Sequence, residues 1–332
     1  MKYRVGNLKR VGNEDIPVFD DPEWEEFITQ GVPATINVPV RAGNIIQWRG
    51  NGSRYSYGYH EGNYSHFSST CNFEIMNNLL TLLYDTDIAS LTEDQLTTLR
   101  ASSTYCFGSL FAECDKLINA DKIAFPRRLV GGEHHFTDMF RDCVNLTSAA
   151  FIAGSGAMLD SAYERMFLGC TSLTKAPTLP STELGPHCYQ AMFSGCTSLV
   201  NAPELPATNL VKGCYDSMFG YYTYDYGLHS VYAGCISLKN ITMRGTYYGP
   251  GNEPQDWWGE GGGYAMVMHP LKNWVQFKNA SGNYAGQTSG NFYGSSSWQN
   301  VGTDGSDEYV SNSIAGCDGY QYIGVPNGWT KH

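Results

Sequence analysis

Large apolar residues return along the middle of the chain at a nearly constant interval. Met166, Phe167, Cys170 and Leu173 reappear 26 residues later as Met192, Phe193, Cys196 and Leu199. Upstream, Leu110-Phe111-x-x-Cys114-x-x-Leu117 and Met139-Phe140-x-x-Cys143-x-x-Leu146 keep the same order, 29 and 27 residues from their successors. Downstream, Cys214-Tyr215-x-x-Met218-Phe219 opens a fifth copy on register. Its second half, Gly234-Cys235-Ile236-Ser237-Leu238, arrives only after 13 extra residues. A unit this short cannot enclose a core alone, so copies must stack and carry their apolar residues as interior columns. Small and turn-forming residues (Gly-Cys-Thr-Ser, Ala-Pro-x-Leu-Pro) mark the corners. The Leu-x-x-Ala-Pro stretch predicts a short strand. The segment before each Met-Phe, such as Cys188-Tyr189-Gln190-Ala191, predicts a short helix or turn on the opposite, outer face.

The same patterning divides the chain into four parts. Residues 1–32 are dominated by charged and turn residues and read as an arm. It is either a packed extension or an attachment segment, with one short helical candidate over Pro22–Phe27. Residues 33–100 read as a small antiparallel β unit, sandwich-like against the first coil. Its strands are expected at Thr35–Val40, Ile45–Trp48, Arg54–His60 and Phe73–Ile75. Asn78–Tyr84 predicts a strand or short helix, and Leu91–Leu96 a capped helical turn. Residues 101–245 are the repeat array of about five coils. Residues 246–332 are rich in Gly, Ser and Asn but carry Trp257, Trp258, Trp274, Phe277, Phe292, Trp298 and Trp329, enough aromatics to cap the last coil.

The run Met192-Phe193-Ser194-Gly195-Cys196-Thr197-Ser198-Leu199-Val200-Asn201-Ala202-Pro203-Glu204-Leu205-Pro206, continued to Cys214-Tyr215, resembles the BspA-like leucine-rich repeats of bacterial surface proteins and some phage proteins. The resemblance extends over roughly residues 33–332, through Val40–Asn44, Phe67–Ser69 and Gly328–Thr330. It implies a leucine-rich-repeat solenoid, with a short strand plus a short helix or turn per coil, used for adhesion or display. It supplies no catalytic residue.

Charge and composition narrow the partners. With a net charge of −11 and no basic cluster beyond Arg127-Arg128, the chain lacks the positive face that nucleic acid requires. No apolar run reaches the length of a membrane span. The opening residues are basic but no apolar segment follows, so they are not read as a signal peptide. If Met1 is the native start, assembly inside a cell and exposure on a released particle is the expected route. The 10 cysteines fall mostly in two repeat slots, Cys114, Cys143, Cys170, Cys196 and Cys235 in one, Cys188 and Cys214 in the other. Buried thiols are therefore expected rather than disulfides, and the absence of a CxxC pair excludes a zinc ribbon.

Candidate chemistry is sparse. Glu133-His134-His135 lacks metalloprotease spacing, and surface histidines are expected there. Asp304–Glu308 and Asp85–Asp87 lack the order of a calcium loop and read as solvated turns. No nucleophile elbow, phosphate loop or dinucleotide fingerprint occurs, and no acid pair points to a glycosidase. No enzyme, cofactor or metal is expected. The leading function is a virion fibre or capsid-decoration protein displaying the repeat scaffold toward other virion proteins or host-surface glycans and proteins, with homo-oligomers left open. The alternatives are a bacterial cell-surface adhesin with its leader removed and, behind it, a glycan-cleaving enzyme. The expected contact is the insertion in the fifth copy, through Tyr221, Tyr222, Tyr224, Tyr226, His229 and Tyr232, because tyrosine offers a rigid amphipathic surface at low entropic cost. The alternative is that this loop packs on the aromatic-rich segment after residue 246 and caps the stack.

Overall fold

A computed structural model describes residues 2–11, 14–19, 21, 23–26, 35–50, 66–84, 88, 91–92, 95, 104–125, 131–149, 157–224, 230–246, 274–275, 277–283, 289–298, 325–326 and 328–332. The expected strand Arg54–His60, both acidic turns, Trp257 and Trp258 lie outside them.

The N-terminal residues form a four-stranded antiparallel sheet. β1 (Lys2–Val11) pairs with β2 (Glu14–Val18), with the short β3 (Glu25–Glu26) and with β4 (Asn44–Arg49). The sheet thus draws on residues either side of position 32. The helical candidate at Pro22–Phe27 is not a helix. Glu25 and Glu26 are in β3, and Trp24 is clamped between the Arg4 and Arg49 guanidinium groups, 4.6 and 4.3 Å from its ring. Thr35–Val40 forms no strand.

β5 (Phe73–Asn78) is followed by a 3-10 turn, Leu79–Leu82, whose first free amide is capped by the Asn78 side chain. β5 does not join the antiparallel sheet. It pairs in parallel with β6 (Leu117–Ala124), and bridges Ala120–Ala149 and Ser148–Lys175 carry the parallel pattern into the next copies. Further along lie β7 (Asn201–Leu205), the inserted hairpin of β8 (Tyr222–Tyr224) and β9 (Ser230–Tyr232), β10 (Asn240–Met243), β11 (Asn291–Gly294) and β12 (Thr330–Lys331). The order β12-β11-β10-β7 is parallel throughout. Residues after 246 therefore extend the same sheet, and their aromatics Trp274, Phe277, Phe292, Trp298 and Trp329 are buried in the common core.

Opposite the strands, the segments preceding each Met-Phe are consecutive turns rather than helices. In the second copy, the amides of His134, Phe136, Asp138, Phe140 and Asp142 donate to Asp160, Ala162, Glu164, Met166 and Leu168 of the third at 2.8–3.1 Å. The alternate amides, Thr137, Met139, Arg141 and Cys143, donate three residues back along the chain at 3.0–3.3 Å. A helix would spend every amide within its own segment. Here half are spent between copies, which satisfies buried backbone groups and fixes the stacking register at once. The geometry requires a left-handed residue at every fourth position: His134, Asp138 and Asp142, then Ser161, Arg165 and Gly169, then His187, Ala191 and Gly195. Most are not glycine, at a cost of about 1–2 kcal/mol each.

The apolar columns offset that cost. Phe111, Phe140, Phe167, Phe193 and Phe219 stack near-parallel and offset, with centroids 5.4–5.7 Å apart. Phe107, Phe136, Tyr163, Tyr189 and Tyr215 form a second column at 5.1–6.0 Å. Each ring is at most 4% exposed, so each contributes about 1.5–3 kcal/mol by burial alone. Among the described residues every cysteine is a free thiol, and all but Cys71 are buried. The thiols of Cys143, Cys170, Cys196 and Cys235 donate to the carbonyls of Phe111, Phe140, Phe167 and Phe193 of the preceding copy at 3.0–3.2 Å. A small apolar side chain with one weak donor occupies that slot in each copy.

Candidate functional site

The inserted hairpin interrupts this regular array. Its register sets Tyr222 opposite Tyr232, Thr223 opposite Val231 and Tyr224 opposite Ser230. Side chains alternate across a strand, so Tyr222, Tyr224 and Tyr232 share one face and Thr223 and Val231 the other. The tyrosine face is turned onto the chain's own turn segments. Tyr224 is 3% and Tyr232 8% exposed, packed with Leu168, and Tyr222 lies half-buried beside them. Thr223 and Val231 face outward.

Beneath the tyrosines lies a cluster of charged side chains. Asp138 and Arg165 occupy the same slot of successive copies, and the guanidinium grips both carboxylate oxygens, at 3.1 and 3.3 Å. Arg165 also pairs with its neighbour Glu164, whose other oxygen lies 3.2 Å from His134 Nδ1. Arg141 donates to Glu113 and to Asp142, both at 2.7 Å. Asp138, Arg141, Glu164 and Arg165 are all buried. The Tyr224 ring covers both arginines, with guanidinium carbons 5.4 and 5.3 Å from its centroid. Tyr232 donates its hydroxyl to Asp142 Oδ2 at 2.8 Å.

Local backbone makes room for this. The third left-handed position holds Glu113 and Asp142 in the first two copies but glycine in the next two. A Cβ on Gly169 would run into the Asp142 carboxylate and stand 2.7 Å from the Tyr232 ring; one on Gly195 would stand 2.8 Å from the Gly169 backbone and 3.1 Å from the same ring. Burial shapes the electrostatics. It lifts the Asp138 carboxyl above its ordinary value, against the pull of Arg165 and Arg141. Burial likewise lifts Asp142, against the Tyr232 hydrogen bond and Arg141. Burial acts upward on Glu164 too, but Arg165 and His134 hold it below the usual range. For Arg165, burial alone would weaken the cation, and Asp138 and Glu164 outweigh it, so the group stays charged.

Searches find no match to the chain among family models, curated proteins or solved structures. The site must therefore be read from its own geometry.

The expected contact residues divide as follows. Tyr224 and Tyr232 do not offer exposed rings, because their apolar faces are needed to cover Leu168 and the two arginines. Tyr222 is half-buried against the same cluster, and Tyr221 is half-buried 5.8 Å from Lys278 Nζ. Tyr226 and His229 lie outside the described residues. The histidines expected at the surface are also placed differently. His135 is buried, and His134 is half-buried between the Tyr105 ring, 4.5 Å away, and Glu164. Among the described residues no group of three or more His, Cys, Asp or Glu side chains is arranged to hold a metal. No helix among them is long and apolar enough to cross a membrane. Chemically, the cluster is an ion network in which the carboxylates of Glu113, Asp138, Asp142 and Glu164 surround the two guanidinium groups.

Proposed function

We propose that this chain is a non-enzymatic display protein of a virion, a fibre or capsid-decoration subunit built as a BspA-like leucine-rich-repeat solenoid. The observation that carries the reading is the thiol column. Exported proteins pass through oxidising surroundings in which neighbouring cysteines pair, whereas a particle protein folds in a reducing cytoplasm. Four successive buried thiols, each donating to a backbone carbonyl, suit the second history and favour the particle over a cell-surface adhesin.

Support for a scaffold role comes from where the ionisable groups are spent. Asp138, Glu164, Arg141 and Arg165 are engaged with one another under the hairpin, leaving that cluster nothing with which to activate a substrate. Support for the repeat class comes from the one-to-one backbone pairing of successive copies and the parallel bridges opposite. The partners on this reading are other virion proteins or host-surface glycans and proteins.

The test is to incubate the recombinant chain with bacterial cells and their isolated surface polysaccharides, and to probe purified particles with an antibody to the chain. Binding without release of new reducing ends, together with labelling of particles, is expected. Release of reducing ends would replace the display role with glycan cleavage. Labelling of cells that carry no particles would move the protein to the bacterial surface.

A further inference from the structure

The tyrosine face of the inserted hairpin is turned onto the chain itself, the geometry of a part holding the molecule together. We infer that β8 and β9 form an internal strap that closes the charge cluster of the second and third copies. The strap is fastened at two points of different chemistry. Tyr232 hydrogen-bonds Asp142 Oδ2 across 90 residues of sequence, and Tyr224 lies against Arg141 and Arg165 together. The Tyr232 ring rests over positions 169 and 195, where glycine stands in place of the acidic residue of the earlier copies; a Cβ there would meet the Asp142 carboxylate or the Gly169 backbone first and the ring next.

The strap has a reason to exist where it does. A carboxylate–guanidinium pair inside a stack is sound only while each charge keeps its partner and water is excluded from an incomplete network. The slot is buried in every copy, by Ser109, Ala191 and Ser217 as much as by Asp138 and Arg165, but only Asp138 and Arg165 bring charge into it. A buried charged pair loses more on wetting than a buried alanine or serine, so these two copies have the most to lose if their cover opens. The insertion arises in the fifth copy, passes the fourth at Gly195, whose amide bonds the Ala233 carbonyl, and reaches the charged side chains of the third and second. Opening the strap would wet the cluster and loosen those two copies before the rest, so the hairpin sets which part of the stack yields first.

Hydrogen exchange on the full chain tests this through the amides of Asp142 and Gly169, which bond the third and fourth copies. Two variants open the strap: Tyr224→Ser, and a deletion joining Phe219 to Ala233. In both, protection of these two amides should fall on the order of tenfold or more, while Asn291 and Thr330, bonded in the far sheet, keep theirs. Melting should also become salt-dependent, because a wetted ion network is screened as a buried one is not. Unchanged protection at Asp142 and Gly169, or equal loss at all four amides, overturns the strap. Should the deletion fail to fold, Tyr232→Phe decides, since it keeps the ring and removes only the hydroxyl. Its effect on Asp142 and Gly169 protection should be non-additive with that of Asp142→Asn, and strictly additive effects reject the fastening.

Discussion

Removing the ring of Phe193 is the sharpest perturbation of the stacked core. Phe193 is fully buried and lies between two near-parallel rings, Phe167 and Phe219, each 5.7 Å away and tilted by only 3° and 4°. Phe193→Ala removes a buried aromatic, which costs about 3–5 kcal/mol with the cavity included. Two offset-stacked pairs are lost with it, each worth about 0.5–1.5 kcal/mol beyond burial. The neighbours cannot collapse into the gap, because interunit bonds from Phe167 to Met192 and from Phe193 to Met218 hold the backbones at fixed spacing. The expected loss is therefore at the upper end, about 4–5 kcal/mol. Urea unfolding of parent and variant measures the total, and exchange of the Phe167 and Gly195 amides localises it. A change below about 1 kcal/mol, the size typical of surface substitutions and small repackings, would mean that the ring column is not what supports the stack.

Three further outcomes are expected. Thiol labelling of native protein should modify Cys71 and leave Cys106, Cys114, Cys143, Cys170, Cys188, Cys196, Cys214 and Cys235 until denaturant is added; a native Cys170–Cys196 crosslink found by mass spectrometry contradicts this. Asp142 is held above its ordinary 3.8, so the folded state takes up its proton first, and its contribution to stability grows as pH falls through the raised value and is complete below 3.8. Stability measured against pH should show this gain in the parent and not in Asp142→Asn; parallel profiles would refute it. Tyr189 buries a hydroxyl with no hydrogen-bond partner among the described residues, in a column whose first members are Phe107 and Phe136, so Tyr189→Phe should be neutral or stabilising by about 1 kcal/mol in thermal unfolding. A loss of that size would reveal an acceptor.

The columns were legible in the sequence because each repeats. Met-Phe, Cys and Leu at constant offsets can only be explained by neighbours meeting neighbours, and these are the residues that are fully buried. The turns were not legible. Left-handed positions normally announce themselves as Gly or Asn, and here they hold Tyr105, His134, Arg165 and Ala191, whose conformation is imposed by bonding between copies. The Asp138–Arg165 pair left a signal that alignment of the copies would have caught, namely opposite charges immediately before Met139 and Met166. The hairpin left another. Tyr222, Tyr224 and Tyr232 alternate with Thr223 and Val231, so a strand must put the tyrosines on one face, and the largest apolar face of a hairpin goes inward. β1 escaped because KYRVGNLKRV is polar on both faces, and its outer half is exposed on both.

The turn-side bonding also gives the array a direction. Every amide that bridges copies there points from the earlier copy toward the later, from Phe107 to His135 at one end and from Phe219 to Trp274 at the other. Peptide dipoles so aligned reinforce one another as they do along a helix. The array thus has two chemically different terminal faces. The first copy presents carbonyls and is met by a donor, the Phe67 amide bonding Leu110 at 2.8 Å; the last presents amides and is met by an acceptor, Trp274. Its two covers cannot be exchanged, and copies added in the middle would leave both undisturbed. Two such arrays are matched to join only nose to tail, so any filament or graft made from this chain inherits its vector.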